Sequence, residues 1–479
     1  MNKSMIRFLL SKLLLIEAAL LLVPLVVAFI YRENFTVISS ILITMAILLA
    51  LGGLGVLFKP KNYHVYTKEG MLIVALCWLL WSFFGALPFV LSKQIPSIID
   101  AFFEMSSGFT TTGATILPDV SVLSHSLLFW RSFAHLIGGM GVLVFALAIM
   151  ENSNNSHLEV MRAEVPGPIF GKVVSKLKET AQILYIIYLV MFVIFALVLW
   201  WAGMPLFDSI VTAMGGAGTG GFAVYNDSIA HYHSALIANI VSVGTLLFGV
   251  NFNLYYFLLL RKFKAFFGDE ELRTYFAIVL ISTILIWLNV GGLYSSVGKG
   301  LEYSFFEVST IITTTGFGIT DLTVWPLFSQ VILLMLMFIG GSAGSTAGGI
   351  KVMRALILGK ISRNQVISSL YPNRVMTIHV NGSSLEKETQ HSILKYLAIY
   401  VMIMLALIFF LSLDNSNFMV VVSAAASTFN NIGPMLGTSD TFAIFSPFSK
   451  VLMSLAMIAG RLEIYPMLLL FIPKTWSKY

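Results

Sequence analysis

Charge is scarce in this sequence. Of 479 residues only 29 are lysine or arginine and 23 aspartate or glutamate, or 11%, against about a quarter in soluble globular chains. With 58% hydrophobic residues and a mean hydropathy of +0.89, an ordinary soluble domain is excluded. Cysteine is almost absent. Cys77 stands alone inside an apolar run, which rules out a disulfide framework and a thiolate metal centre. Histidine is sparse too, and His231 and His233 have no third ligand nearby, so they read as solvated side chains. The formal net charge is +6, yet the basic residues form no dense patch, and nucleic acid is not an expected partner. Also missing is a His/Asp/Glu or Ser/Lys set at membrane depth, and with it the case for an intramembrane enzyme. No covalently bound cofactor is expected.

What the chain does have is an internal repeat. Asp100 to Leu117 (DAFFEMSSGFTTTGATIL) and Tyr303 to Phe317 (YSFFEVSTIITTTGF) align so that Glu104 meets Glu307 and Thr111, Thr112 and Gly113 meet Thr314, Thr315 and Gly316. Two weaker copies are Asp208 to Phe222, ending in Thr219, Gly220 and Gly221, and Val420 to Pro434, ending in Asn431, Ile432 and Gly433. The four glycines are on the order of a hundred residues apart, too far for a solenoid repeat. Each copy lies between two long apolar segments, so the unit reads as helix, short helix with a polar Gly/Thr loop, helix. Irregular backbone inside a bilayer is tolerated where it is buried in protein or lines a watery cavity, and four such loops converging on one axis satisfy that condition.

The expected fold is therefore an all-α multipass membrane protein. It consists of an N-terminal two-helix hairpin (1–66) and four pore repeats at 67–155, 156–264, 265–364 and 365–479, with about ten full spans and four re-entrant loops. The spans are drawn at Phe8 to Ile30, Val37 to Phe58, Met71 to Leu91, Leu127 to Met150, Ile183 to Ala202, Ala235 to Leu260, Phe276 to Leu293, Leu327 onward, Ile393 to Leu413 and Val451 to Ile472. The first run has the basic start of a signal peptide but the length of a full span and no convincing cleavage site, so it reads as a retained helix. Basic residues cluster on one side (Lys3, Arg7, Lys12; Lys59, Lys61, Lys68; Lys172, Lys176, Lys178; Arg261, Lys262, Lys264; Lys360, Arg363, Arg374; Lys474, Lys478). The other side carries Asp100, Asp119, Asp208, Asp227, Asp321, Asp414 and Asp440, with Arg32, Lys93 and Lys299 as exceptions. By the positive-inside rule both termini are cytoplasmic and the Gly/Thr loops enter from outside.

Two features break the pattern. In the third unit the apolar run from about Leu327 to Leu358 is too long for one span, and its middle is GGSAGSTAGGIK: Gly340, Gly341, Ser342, Ala343, Gly344, Ser345, Thr346, Ala347, Gly348, Gly349, Ile350 and Lys351. Glycine costs roughly 1 kcal/mol against alanine in a helix, so the helix is expected to break there. The segment is then either a small-residue seam between close helices or a flexible loop beneath the pore loops. Arg461, in MIAGRLEIYP, reads as the one basic residue well inside an apolar segment, where charge costs at least ~2.5 kcal/mol and points to function. Its register with LIGGM (Leu136 to Met140) and FIGGS (Phe338 to Ser342) places it under the loops, facing the axis or pairing with Glu463. Two nucleotide-like patterns, GAGTGG at Gly216 to Gly221 and GSTAGGIK, lack the strand that a phosphate loop requires.

A dehydrated monovalent cation needs oxygen ligands of field comparable to water, which rings of backbone carbonyls supply. Extended Gly/Thr backbone and the C-terminal ends of four short helices suit that task. The carboxylates Asp100, Glu104, Asp208 and Glu307 are read either as partners of helix dipoles or as attractants for cations. An ion-coupled (H+ or Na+) symporter is the alternative to a channel-like path.

TTTGAT at Thr110 to Thr115, GGF at Gly220 to Phe222, TTTGF at Thr313 to Phe317, NNIGP at Asn430 to Pro434, RAEVPGP at Arg162 to Pro168, GSAGSTAGGIK and GRLEI at Gly460 to Ile464 together resemble the TrkH/TrkG branch of the Trk/Ktr/HKT superfamily of potassium transporters over nearly the whole chain. The resemblance implies potassium and rubidium permeation across the bacterial inner membrane through a pseudo-fourfold filter, with K+ as the permeating ion. It further implies a homodimer, control by a cytosolic nucleotide-binding TrkA-type subunit, and a gating loop at Gly340 to Gly349 that Arg461 contacts. Related plant proteins that carry sodium have serine for the first filter glycine, and Gly113 argues against sodium here. Gly220 and Ile432 depart from the threonines at Thr112 and Thr315, and Pro434 from the aromatic, so the four strands are not equivalent.

Overall fold

The computed structural model describes residues 1–63, 65–141, 177–371, 373, 376–415 and 417–476. The RAEVPGP motif, Lys172, Lys176, Arg374, Lys478 and the end of the Leu127 to Met150 span lie outside them. Almost everything described is helix; the strands are one two-residue pair, His379–Val380 with Ser383–Ser384. Apolar side chains face outward as well as inward: Leu54, Leu57, Trp201, Met402 and Phe409 are all exposed, as expected where hydrocarbon replaces water around the molecule.

The N-terminal hairpin is Lys3–Leu20 continued by Leu22–Ile30, then Phe35–Leu57. Each unit then supplies an outer helix, a short helix and an inner helix. The outer helices are Thr67–Leu91, Leu177–Trp201, Glu270–Val290 and Lys387–Leu411. The short helices are Ile98–Phe109, Leu206–Ala217, Val297–Ile312 and Phe418–Phe429. They start on caps suited to the job: Ser97, Ser296 and Asn417 side chains accept backbone N–H groups of the first turn, and Pro205 precedes the second.

The inner helices are shorter than the spans drawn for them. They are His125–Gly139, Ala235–Phe248, Leu327–Ile339 and Pro447–Arg461, of 15, 14, 13 and 15 residues, each too short for the ~20 residues of a full crossing. Six described helices are long and apolar enough to cross a membrane, seven if the bent pair Ala235–Phe248 and Phe252–Leu259 counts as one. The break expected in unit three alone recurs in units two and four, and the first inner helix ends at Gly139. Unit two turns by 89° at Gly249 to Asn251, where a straight span to Leu260 was expected. Unit four breaks after Arg461, with Glu463 and Ile464 in left-handed backbone (φ 56° and 74°) before Tyr465–Phe471 resumes. The small residues at each break, from Gly138 in unit one to Gly460 in unit four, are what lets the helix ends approach the loops above them.

The units close into a ring. Each inner helix packs on the short helix of the next unit, first on second, second on third, third on fourth and fourth on first. The last joint has further ties. Lys450 pairs with Asp100 at 2.7 Å, the Phe442 N–H donates to the Thr115 carbonyl at 3.0 Å, and Phe442 lies against Phe103. Asp100 is thus held by a neighbouring unit, and Asp208 accepts the Tyr232 hydroxyl at 3.0 Å.

Candidate functional site

The four short helices end in the same way. Thr111, Thr219, Thr314 and Asn431 are left-handed, with φ of 55°, 54°, 57° and 58°. The next N–H in each case reaches back five residues: Thr112 to Ser107, Gly220 to Gly215, Thr315 to Thr310 and Ile432 to Ser427, at 2.9, 2.7, 2.8 and 2.9 Å. This is a helix-terminating turn built on threonine or asparagine rather than glycine, although the left-handed region costs such residues about 1–2 kcal/mol each. Gly113, Gly221, Gly316 and Gly433 follow with φ of 80°, 75°, 77° and 110°. The backbone therefore alternates in hand, where continuous extension was expected.

The glycines also face one another around a circle. A Cβ on Gly113 would overlap the Gly220 carbonyl oxygen, one on Gly221 that of Thr315, and one on Gly316 that of Ile432. A Cβ on Gly433 would come 2.8 Å from the Thr112 oxygen, closing the cycle. The carbonyls of Thr112, Gly220, Thr315 and Ile432 thus lie at successive glycines of a single ring. The Asn431 amide crosses from unit four to the Thr112 hydroxyl at 2.9 Å.

Buried carboxylates brace the strands from behind. Glu104 accepts the Thr115 hydroxyl and the Ile116 N–H, both at 3.0 Å, and pairs with Arg131 at 2.6 Å. Glu307, the equivalent residue, accepts the Ile319 N–H at 3.1 Å. Both sit within their helices rather than at the starts, so they act as struts and not as partners of helix dipoles. Unit four lacks a carboxylate here, and Ser423 accepts the Leu436 N–H at 2.9 Å instead. Arg131→Met, which strands Glu104 in an apolar setting, is expected to destabilise the protein by about 3–5 kcal/mol. The measurement is thermal unfolding in detergent, with Arg131→Met/Glu104→Met recovering part of the loss.

On one side of the ring opens a vestibule of about 540 Å³, lined by Gly113, Gly316 and Gly433 and by Asp227, Asp321 and Asp440. On the other side lies the Gly-rich segment. It leaves the inner helix at Gly340 (φ 72°) and rejoins a helix at Val352 after Lys351 (φ 80°). Its Gly348 N–H donates to the Thr314 hydroxyl at 2.6 Å, and a Cβ on Gly348 would overlap the Asn430 carbonyl. The Ser342 N–H donates to the Gly249 carbonyl and the Thr346 hydroxyl to that of Phe248, at 3.0 and 3.2 Å. Ala343 and Met353 N–H groups share Glu271 Oε1, at 2.6 and 3.0 Å. Ser345 is bonded within the loop to the Ser342 carbonyl, Gly344 lies against Asn251, and Lys351 Nζ turns back to the Ala347 carbonyl. Gly341 and Gly349 complete a compact, buried segment, so it is a loop and not a helical seam.

Arg461 holds that loop. Its Nη1 donates to the Thr346 carbonyl and its Nη2 to the Gly138 and Gly139 carbonyls, all at 2.6 Å. Glu463, the alternative partner, is paired with Arg354 instead. The loop is thus tied to the broken ends of the inner helices of units one, two and four.

The family model described as "TrkH: Cation transport protein" matches residues 37–478. The chain belongs to the TrkH family. Among the relatives, the Trk system potassium uptake protein TrkH of Salmonella typhimurium is 34% identical over 477 residues, 97% of this chain and 98% of its own. The TrkG protein of Escherichia coli K12 is 32% identical over 466 residues, 95% of each chain. The crystal structure of the potassium transporter TrkH from Vibrio parahaemolyticus superposes with a TM-score of 0.90 at 31% identity, covering all of both chains. The TrkH fold is that of an all-α multipass membrane transporter.

Two buried residues at the site were not singled out by the sequence. Arg131 and His135 lie one turn apart in the first inner helix, and both pack on Phe222, Arg131 with its guanidinium 4.0 Å and His135 with its ring 4.3 Å from the Phe222 centroid. Arg131 is as deeply placed as Arg461, so Arg461 is not the one basic residue inside an apolar segment. The signal that could have found it is the run LLFWRSFAHLIGG, a cation and an imidazole amid apolar residues.

Proposed function

We propose that this protein carries potassium, and rubidium in its place, into the bacterial cell across the inner membrane. The supporting observation is the closed cycle of the four glycines, each against the next strand's carbonyl. Thr111 to Gly113, Thr219 to Gly221, Thr314 to Gly316 and Asn431 to Gly433 present those carbonyls to a dehydrated K+, whose coordination needs oxygens of the right number and field rather than formal charge. Short-helix C-termini add partial negative potential toward the ring, and the acidic vestibule raises the local cation concentration on the side of entry.

Gly340 to Lys351 is the gate and Arg461 its latch: the loop occupies the path directly beneath the ring, is bonded to units two and four, and is linked through Arg461 to unit one. Opening requires withdrawal of that loop toward the basic side, where a cytosolic nucleotide-binding subunit of the TrkA type and the termini lie. The working form is a homodimer, each copy with its own path. Nucleotide acts only through the subunit.

Expression in a bacterium deficient in potassium uptake should restore growth on low potassium and drive rubidium accumulation. Bi-ionic potentials that show sodium carried as readily as potassium would refute the potassium assignment.

A further inference from the structure

The second strand of the ring lacks a side chain that the others have. Immediately before the glycine, units one, three and four place Thr112, Thr315 and Ile432, all completely buried. The two threonine hydroxyls bond back to Thr110 and Thr313 at 2.7 and 2.8 Å. Unit two has Gly220 there. The space is filled from another unit: a Cβ on Gly220 would fall inside the imidazole of His135, 2.5 Å from both Cε1 and Cγ and nearer still to Nδ1.

His135 is completely buried and is wedged into the second strand at three points. Its carbonyl lies where a Cβ on Gly218 would be, its ring edge abuts Gly220, and its ring face stacks on Phe222 with planes 16° apart. Its contacts therefore bracket Gly221. Arg131, fixed by Glu104, packs on the same Phe222, so the aromatic has little room to shift.

We propose that His135 is the missing side chain of the second filter strand, a positioning residue supplied by unit one that holds the Gly220 carbonyl in the ring and sets discrimination between potassium and sodium. The proposal rests on the reading of the ring as a potassium filter. Interiors are packed to near crystal density, so removing the ring opens a void directly behind the strand, and the carbonyl is free to retreat. A smaller, more hydrated ion such as Na+ is then rejected less well, because selectivity depends on how the oxygens are placed.

The test is rubidium uptake in potassium-uptake-deficient cells, with the sodium concentration that halves it as the readout. That concentration is independent of how much protein reaches the membrane, which a merely structural defect would change. His135→Ala is expected to lower it at least fivefold, and His135→Phe, which keeps a flat ring, to leave it within about twofold of the parent. Gly220→Thr alone, forced against the imidazole, is expected to lower it at least fivefold, and His135→Ala/Gly220→Thr to bring it back within about threefold. Should His135→Ala fail to accumulate, the comparison of Gly220→Thr with the double variant decides by itself. An unchanged sodium sensitivity in His135→Ala, or a double variant no better than Gly220→Thr, overturns the assignment. A parent protein with no rubidium uptake, or none that discriminates against sodium, overturns the potassium reading itself.

Discussion

Gly316→Ala is expected to lower rubidium uptake by about a hundredfold, equivalent to about 3 kcal/mol. Two terms act together. Alanine at φ 77° costs about 1–2 kcal/mol of backbone strain. The added methyl also overlaps the Ile432 carbonyl and lies 2.6 Å from Pro434 Cδ, and neither can retreat without opening the ring. Gly221→Ala meets the Thr315 carbonyl in the same way and should behave alike, whereas Gly53→Ala, where nothing lies within 4 Å, should leave uptake unchanged. Uptake by Gly316→Ala within twofold of the parent at equal abundance in the membrane would show that ions do not pass through this ring.

The second large effect has the opposite sign. Arg461→Ala removes the charge-assisted hydrogen bond to the Thr346 carbonyl of the loop, worth about 1.5–3 kcal/mol, together with the two to Gly138 and Gly139 that anchor the arginine to the first inner helix. Basal rubidium flux should rise at least about tenfold, and shortening the loop within Gly340 to Gly349 should do the same. Arg461→Lys, which can reach one carbonyl but not three with fork geometry, should fall between. Unchanged or lower flux at normal abundance would mean that the arginine braces the fold instead of closing the path.

Much of the architecture could be read from the sequence because periodicity survives where side chains diverge. Gly113, Gly221, Gly316 and Gly433 kept register even though Thr112 has become Gly220 in one copy and Ile432 in another, since all four strands need the same left-handed turn. The breaks in the inner helices were harder. Unit three marks its break with a long glycine cluster and unit one ends its helix on Gly138, Gly139 and Gly141; unit two does it with Gly249 and Asn251, and unit four with a strained Glu463 and Ile464 inside a run that remains apolar on average. Hydropathy sees composition and not the hydrogen bonds that end a helix. Partners distant in the sequence were beyond reach for the same reason. Nothing local to Glu104 names Arg131, nothing local to Glu463 names Arg354, and the imidazole that fills the gap at Gly220 comes from a different repeat.

The joint between the fourth and first units carries a consequence for biosynthesis. Thr112 and Gly433 meet only after nearly the whole polypeptide has left the ribosome, along with the Asn431 amide and the Lys450–Asp100 pair that tie the same seam. Until then the polar turns of three repeats wait in the membrane without their final neighbour. A chain truncated before that last repeat is expected to conduct no ions, because the opening belongs to the completed circle and to none of its arcs.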